Sequence, residues 1–219
     1  MPKLTWDQAG ERLYETGTSN GVLYPFENNK YGAGVAWNGL TKVSENPSGA
    51  EPTALYADNG KYLNILSAET FAATISAYMY PDEFKKCIGE EEVVAGMAIG
   101  QQDHQVFGFS YKTLIGSDTK NTSRGYKIHV AYGCTAAASQ KDYETVNDSP
   151  SAAEMSFDVS TTPVDVTGFK PTATIVFDST KLSEKQMKAV EDALYGTDQA
   201  EAKLPLPDEF KTLIQQAAA

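Results

Sequence analysis

The strongest constraint on this chain is a pair of alternating runs near its middle. From Val106 to Ile115, Phe107, Phe109, Tyr111, Thr113 and Ile115 fall on one side, with Val106, Gly108, Ser110, Lys112 and Leu114 on the other. From Gly125 to Cys134, Tyr126, Ile128, Val130, Tyr132 and Cys134 alternate with Lys127, His129, Ala131 and Gly133. A period of two belongs to a strand, whose successive side chains point to opposite faces. At about ten residues a side, against ~5–6 for an ordinary strand, the two runs predict a long hairpin. Its connection, GSDTKNTSR, predicts a projecting polar tip that includes Ser117, Asp118, Lys120 and Arg124.

A second alternating run lies in ETFAATISAYMYPDEFKKCIG, Glu69 to Gly89. Phe71, Ala73, Ile75, Ala77 and Met79 fall on one side; Thr70, Thr74, Ser76, Tyr78 and Tyr80 fall on the other, with Ala72 the one apolar intruder. Pro81 ends the strand, since proline has no N–H for a ladder. Asp82 and Glu83 suit a first helical turn, from which Phe84 and Ile88 can pack back on the sheet.

The remaining elements follow from turn and period signals. Asn38-Gly39 between Val35–Trp37 and Leu40–Val43 marks a hairpin, as does Asp58-Asn59-Gly60 within ALYADNGKYLNIL. VVAGMAIG reads as a strand interrupted by glycine, and Ala136–Ala153 as a polar connector. Met155, Phe157 and Val159 alternate with Ser156, Asp158 and Ser160, and Ala173, Ile175 and Phe177 point inward from a further strand. One helix is clear: Ser183 with Gln186 forms a capping box, Met187, Val190 and Leu194 make one stripe, and Gly196 stands past its end. A final short helix opens at Asp208-Glu209. From Leu4 to Asn29 the apolar residues keep no period. They fit an arm packed on a neighbouring molecule, with one short strand after Gly21, or an irregular loop packed on its own domain. Eight to ten strands with a late helix predict a mainly β fold, a sandwich or barrel flanked by α-helix.

Composition narrows the function. Of the 219 residues 41% are apolar and 21% charged, enough for a real core. No apolar run approaches the ~20 residues that span a bilayer, and the N-terminus lacks the apolar core of a signal peptide, so export is not expected. A net charge of −11 argues against binding nucleic acid through phosphates. Cys87 and Cys134 lie on different elements and read as buried, reduced thiols. The two histidines, His104 and His129, stand apart from both cysteines, which offers no zinc spacing. No phosphate loop, nucleophile elbow or dinucleotide fingerprint is present. No catalytic residue, metal or cofactor is expected.

GVLYP, VAWNGLTKVSENPSGAEPTALYADNGKYLN, ETFAATISAYMYPDEF, FGFSYKTLIGSDT, GYKIHVAYG, STTPVDVTGFKPTATIVFDST and LYGTDQAEAKLPLPDEF together cover nearly the whole chain. This series resembles the major tail protein, the tail tube subunit, of long-tailed phages and prophages of Gram-positive bacteria. The resemblance implies one tail-tube domain over 1–219, with an N-terminal arm at 1–30 and a C-terminal arm with a short helix at 197–219. It implies a homo-oligomer, in rings of six stacked into a tube whose inner wall is a shared β-barrel, assembled in the host cytoplasm and carried in the virion tail. Tape measure and tail terminator proteins are the implied partners, and DNA passes through without specific binding. An acidic bore lets a polyanion slide. From alternation, the lumen-facing candidates are Thr70, Thr74, Ser76, Tyr78, Ser110, Lys112, Lys127 and His129; Ser117, Asp118, Lys120 and Arg124 are the candidate inter-subunit loop. The two lysines run against a purely anionic lumen and fit tube ends or subunit contacts as well. The competing reading is a monomeric cell-surface β-sandwich that binds carbohydrate or peptide.

Overall fold

The computed structural model describes residues 3–143, 145 and 152–218. In chain order its elements are β1 (Leu13–Glu27), β2 (Lys30–Tyr31), β3 (Val35–Trp37), β4 (Leu40–Glu45), β5 (Pro52–Ala57), β6 (Gly60–Leu66) and β7 (Ala72–Ala77). After them come α1 (Phe84–Cys87), β8 (Glu91–Val94), β9 (Met97–Ile99), β10 (Phe107–Ser117), β11 (Asn121–Ala136), β12 (Met155–Thr161), β13 (Thr174–Asp178), α2 (Glu184–Tyr195) and α3 (Pro207–Ala218). The chain is mainly β, as its alternation predicts, with thirteen strands among the described residues rather than eight to ten.

One antiparallel sheet runs β2-β1-β10-β11-β12-β7-β4, with β3 added on β1 and β13 on β11. The long hairpin β10–β11 is its spine, pairing from Phe107↔Cys134 to Ser117↔Asn121. β11 serves two neighbours in succession. Lys127–Ala131 pair with β13, and Cys134–Ala136 pair with β12. The switch falls at Gly133, whose φ of +56° sets an extra residue into the strand. Cys134 is therefore turned into the same core as Phe107 and Phe109, while Tyr132 faces the opposite core. The unbroken alternation expected from Tyr126 to Cys134 ends at this glycine.

Beyond β12, strands β7 and β4 fold over the spine, and the Asn38-Gly39 turn returns the path to β3, which lies on β1. The sheet thus wraps around a first core. Inside are Leu23, Trp37, Ile75, Ala77, Phe107, Phe109, Phe157 and, from α1, Phe84 and Cys87. The rings of Trp37, Tyr80, Phe107 and Phe157 all pack on Phe84 at 4.4–5.8 Å between centroids. The corner read from Pro81 to Phe84 is thus a plug for one end of the barrel. Both cysteines are free and buried. Burial pushes the Cys87 thiol up to about 12, so it stays protonated and inert.

A second core lies on the outer face of β1, β10, β11 and β13, beneath α2 and α3. Met187, Val190 and Leu194 supply the α2 stripe, and the Ser183–Gln186 capping box forms as its sequence predicts. Two buried tyrosines pin this layer: Tyr24 donates to the Leu194 carbonyl at 2.7 Å and Tyr132 to the Pro205 carbonyl at 2.8 Å. The tail helix, read as short, has 12 residues, as many as α2.

The largest departure from the sequence reading is β1. Residues 13–27 form a 15-residue strand beside β10, not a detached arm with one short strand. Two irregularities, between Thr16 and Ser19 and between Ser19 and Val22, reset its alternation. Below them both faces are covered, so Val22, Leu23 and Tyr24 are buried consecutively and show no period. Met79 is also displaced, standing 66% exposed because β7 stops at Ala77. Of the predicted connector Ala136–Ala153, residues 144 and 146–151 lie outside the described residues.

A Cβ on Gly133 would stand 2.2 Å from the Thr162 carbonyl oxygen, and its φ is positive. Gly133→Ala should therefore cost about 2–4 kcal/mol in urea unfolding. Gly96→Ala, also at positive φ but with nothing within 4 Å, should leave global unfolding within ~0.5 kcal/mol because it sits on a peripheral hairpin. Equal costs would show that the bulge does not govern the sheet.

Candidate assembly surface

The outer face of β4–β7–β12 is built by register. Lys42 and Ser156 lie on either side of Ser76, and Ser44 and Asp158 on either side of Thr74. Because side chains alternate, the inward set (Val43, Ala73, Ile75, Ala77, Phe157, Val159) fills the first core. The outward set is then small and polar. It is hydrogen-bonded across strands: Thr74 Oγ1 donates to Asp158 Oδ1 at 2.7 Å, Ser76 and Ser156 hydroxyls meet at 3.3 Å, and Asn46 Nδ2 donates to Thr74 Oγ1 at 3.3 Å. Thr70 and Tyr78 flank β7 at its two ends, both exposed. Among the described residues the β4 edge of this three-stranded unit is open, and the β12 edge is open over Met155–Phe157, the rest of β12 pairing with β11. β4 pairs only with β7, and Met155–Phe157 of β12 have no ladder partner opposite β7 among the described residues.

The eight lumen candidates do not share one surface. Thr74 and Ser76 form the polar face just described. Ser110 is fully buried against the Tyr24 hydroxyl, in the core under α2. Lys112 lies on that same covered side, 3.5 Å from Glu191 of α2 and 3.7 Å above the Tyr126 ring. The spine is covered on both faces over this stretch, so its polar residues there are not a solvent face. Lys127 and His129 point to the opposite side, at the end of the barrel, where both meet Glu15 of β1.

The tip of the long hairpin is also not a free loop. Strand pairing continues to Ser117↔Asn121, which leaves a turn of three residues. Ser117 is buried and its hydroxyl accepts from the Lys120 amide. The Asp118 carboxylate accepts from the Gly10 amide at 2.9 Å, and Arg124 donates to the Gly10 carbonyl at 3.1 Å. Asp118 and Arg124 are thus occupied within the chain, and the tip holds residues that precede β1. The unpartnered protrusions lie elsewhere. β5–β6 and β8–β9 are separate two-stranded sheets with exposed apolar side chains: Leu55, Leu63 and Ile65 on one hairpin, Val93, Val94, Met97 and Ile99 on the other.

At the barrel end, Glu15, Glu45, Lys127 and His129 form a charged cluster with Tyr111 and Thr113. Burial raises the Glu15 carboxyl, but hydrogen bonds from Lys127, Thr113 and His129 outweigh it and hold the group below its ordinary value. Glu45 is held low chiefly by His129, against burial, with a further hydrogen bond from Tyr111. Neither glutamate is singled out by its local sequence. Nor are Lys42, Ser44 and Asp158 of the polar face. The signal for the last was the alternation of Ser156, Asp158 and Ser160, which says that a polar face exists but not which strand it lies beside.

Among the described residues no group of three or more His, Cys, Asp or Glu side chains could hold a metal ion, and no helix is long and apolar enough to cross a membrane. No family model matches the chain, and no curated protein matches it. Among solved structures, a chain from the cryo-EM structure of the sheath–tube complex of an extracellular contractile injection system (PVC) in its extended state aligns with 8% identity and a TM-score of 0.36. The alignment covers 73% of this chain and 88% of that one. At that score the likeness does not establish a common fold.

Glutamates with depressed folded values stabilise the native state above their unfolded value and lose that contribution as pH falls through the folded one. For Glu15 and Glu45 the loss begins below the ordinary value of 4.5. Urea midpoints measured against pH should therefore fall in acid, and Glu45→Gln should be less stable at neutral pH with a shallower acid decline. Parallel profiles for the two proteins would mean that Glu45 is not held by this cluster.

Proposed function

We propose that the chain is a structural, non-catalytic subunit of a tail tube, assembling as stacked rings, six subunits to a ring, into a conduit for genome delivery. The observation that carries this reading is the β4–β7–β12 unit, which has a continuous polar outer face, an open β4 edge and a β12 edge open over Met155–Phe157. A monomer normally protects such edges. Joined edge to edge around a ring, β4 of one copy beside the open Met155–Phe157 end of β12 in the next, the units would make a closed barrel. Lys42, Ser44, Thr74, Ser76, Ser156 and Asp158 would then line the bore. The tail-tube resemblance of the sequence segments supports the same reading, and the net charge of −11 suits a passage that must not retain DNA.

In this reading contacts between rings fall to the two apolar hairpins rather than to the tip at Ser117–Arg124, which is engaged within its own subunit. The chain would be assembled in the host cytoplasm and function in the virion tail, with tape measure and tail terminator proteins as partners.

Electron microscopy of purified protein at high concentration should show rings or tubes; a uniform monomer under all assembly conditions would overturn the proposal. Replacing Thr53–Ile65 with a two-residue Asn-Gly turn should leave the circular dichroism spectrum and unfolding midpoint nearly unchanged while abolishing stacking. Normal tubes from that variant would remove the hairpin from the interface. Assembled tubes should not retain DNA at low salt in a shift assay, and tight retention would contradict a non-adhesive bore.

A further inference from the structure

Among the described residues β4 is tied into the sheet on one side only, through β7. At its C-terminal end, the hold across the barrel is made by side chains. Glu45 of β4 reaches Tyr111 of β10, whose hydroxyl donates to Glu45 Oε1 at 2.6 Å. The same oxygen lies 3.4 Å from His129 Nδ1 of β11. On its other edge the imidazole places Nε2 3.1 Å from Glu15 Oε1 of β1 and 3.0 Å from Thr113 Oγ1 of β10. The ring is held flat against Tyr111, 4.7 Å between centroids and 7° from parallel. Its side chain is 13% exposed, so these contacts are poorly screened.

We propose that Glu15, His129 and Glu45 form a protonation-dependent latch that fastens the outer strand β4 across the barrel end to β1 and β11. The number of donors on the imidazole ring decides how many glutamates it can hold. A neutral imidazole carries one N–H and can donate to one of the two glutamates, leaving a lone pair turned toward the other carboxylate. The imidazolium donates on both edges. Nδ1 is buried without an aligned hydrogen bond while a carboxylate oxygen stands 3.4 Å away, so the latch closes fully only when both nitrogens carry protons.

The neighbouring charges agree with this count. Lys127 of β11 pairs with Glu15, Asp178 of β13 lies near Lys127, and β13 presents the uncharged Val176 opposite His129. With His129 protonated, Glu15 and Glu45 face two cations. When the imidazole loses its second proton, one carboxylate loses its bond to the ring: Glu15 would keep Lys127 and Thr113, whereas Glu45 would keep only the Tyr111 hydroxyl. Behind the latch lies a cavity of about 40 Å³, lined by Val43, Ile75, Phe109 and Tyr111 among others, so release of Glu45 opens a path to the first core. In the tube reading, on which only this consequence rests, β4 offers the edge that joins the next subunit, and the latch sets the position of that edge.

The test uses the soluble, unassembled chain, so it stands apart from whether tubes form. Nitrogen-15 spectra of the histidine rings, with His104→Gln to assign the two, should show both His129 nitrogens protonated in the latched state. On raising the pH, amide exchange at Leu40–Glu45 should accelerate about tenfold beyond base catalysis as the second proton leaves. That extra step should vanish in His129→Gln and in Glu45→Gln. A His129 ring that carries one proton throughout the folded range overturns the latch, with no variant needed. So does exchange at β4 that follows base catalysis alone in the wild-type chain.

Discussion

The rest of the barrel depends on the seating of Phe84. A sheet that wraps on itself leaves an open end, and an open end on an apolar core admits water. Here one turn of helix after Pro81 closes it, with four aromatic rings packed on one phenyl group. The strands that supply those rings are far apart in sequence: Trp37 from β3, Phe107 from β10 and Phe157 from β12. Trp37 is held in turn by its indole N–H donating to the Met79 carbonyl at 2.9 Å, which joins β3 to the end of β7. Burying a phenylalanine of this kind is worth about 3–5 kcal/mol by truncation, a large share of a domain's net stability.

The opposite surface of the sheet obeys a different constraint. There, buried polar side chains meet a partner at Tyr24 on a helix carbonyl, Ser110 on Tyr24, and Lys112 on Glu191 and Tyr126, while the Tyr195 hydroxyl is buried without one. The consequence for function is a division of labour between faces. The α2–α3 side is sealed within the subunit, and the β4–β7–β12 side is left polar with open edges. Of these two faces, the proposed lateral contact uses the latter.

The barrel-end cluster joins these two features. Glu15, Glu45 and His129 come from strands that share no local sequence relation, and they meet because the start of β1 and the end of β4 come together against the middle of β11. Their electrostatics act at β4, a strand whose far edge has no ladder among the described residues. A protein that offers an edge to another copy must hold that edge in shape before the partner arrives, and side-chain bonds are the available means where backbone bonds are missing.

Much of this was legible in the residues. Period-two alternation located β7, β10, β11 and β12 and their apolar faces. Asn38-Gly39 located the turn that closes the sheet, and the capping box located α2. Local patterns have local causes, and those survive in any context. The sequence by itself therefore determined a mainly β chain with a flanking helix, and the separation of small polar from apolar positions on β7 and β12. What only the tertiary structure decided was which faces became surfaces. β1 was hidden because two bulges and burial on both sides erase alternation, and the change of face after Tyr132 needed the bulge at Gly133. Ser110 and Lys112 looked outward until α2 covered them, and the hairpin tip looked free until Gly10 met Asp118. In each case the deciding contact joins residues far apart in the chain, and alternation along one strand carries no information about what packs on it.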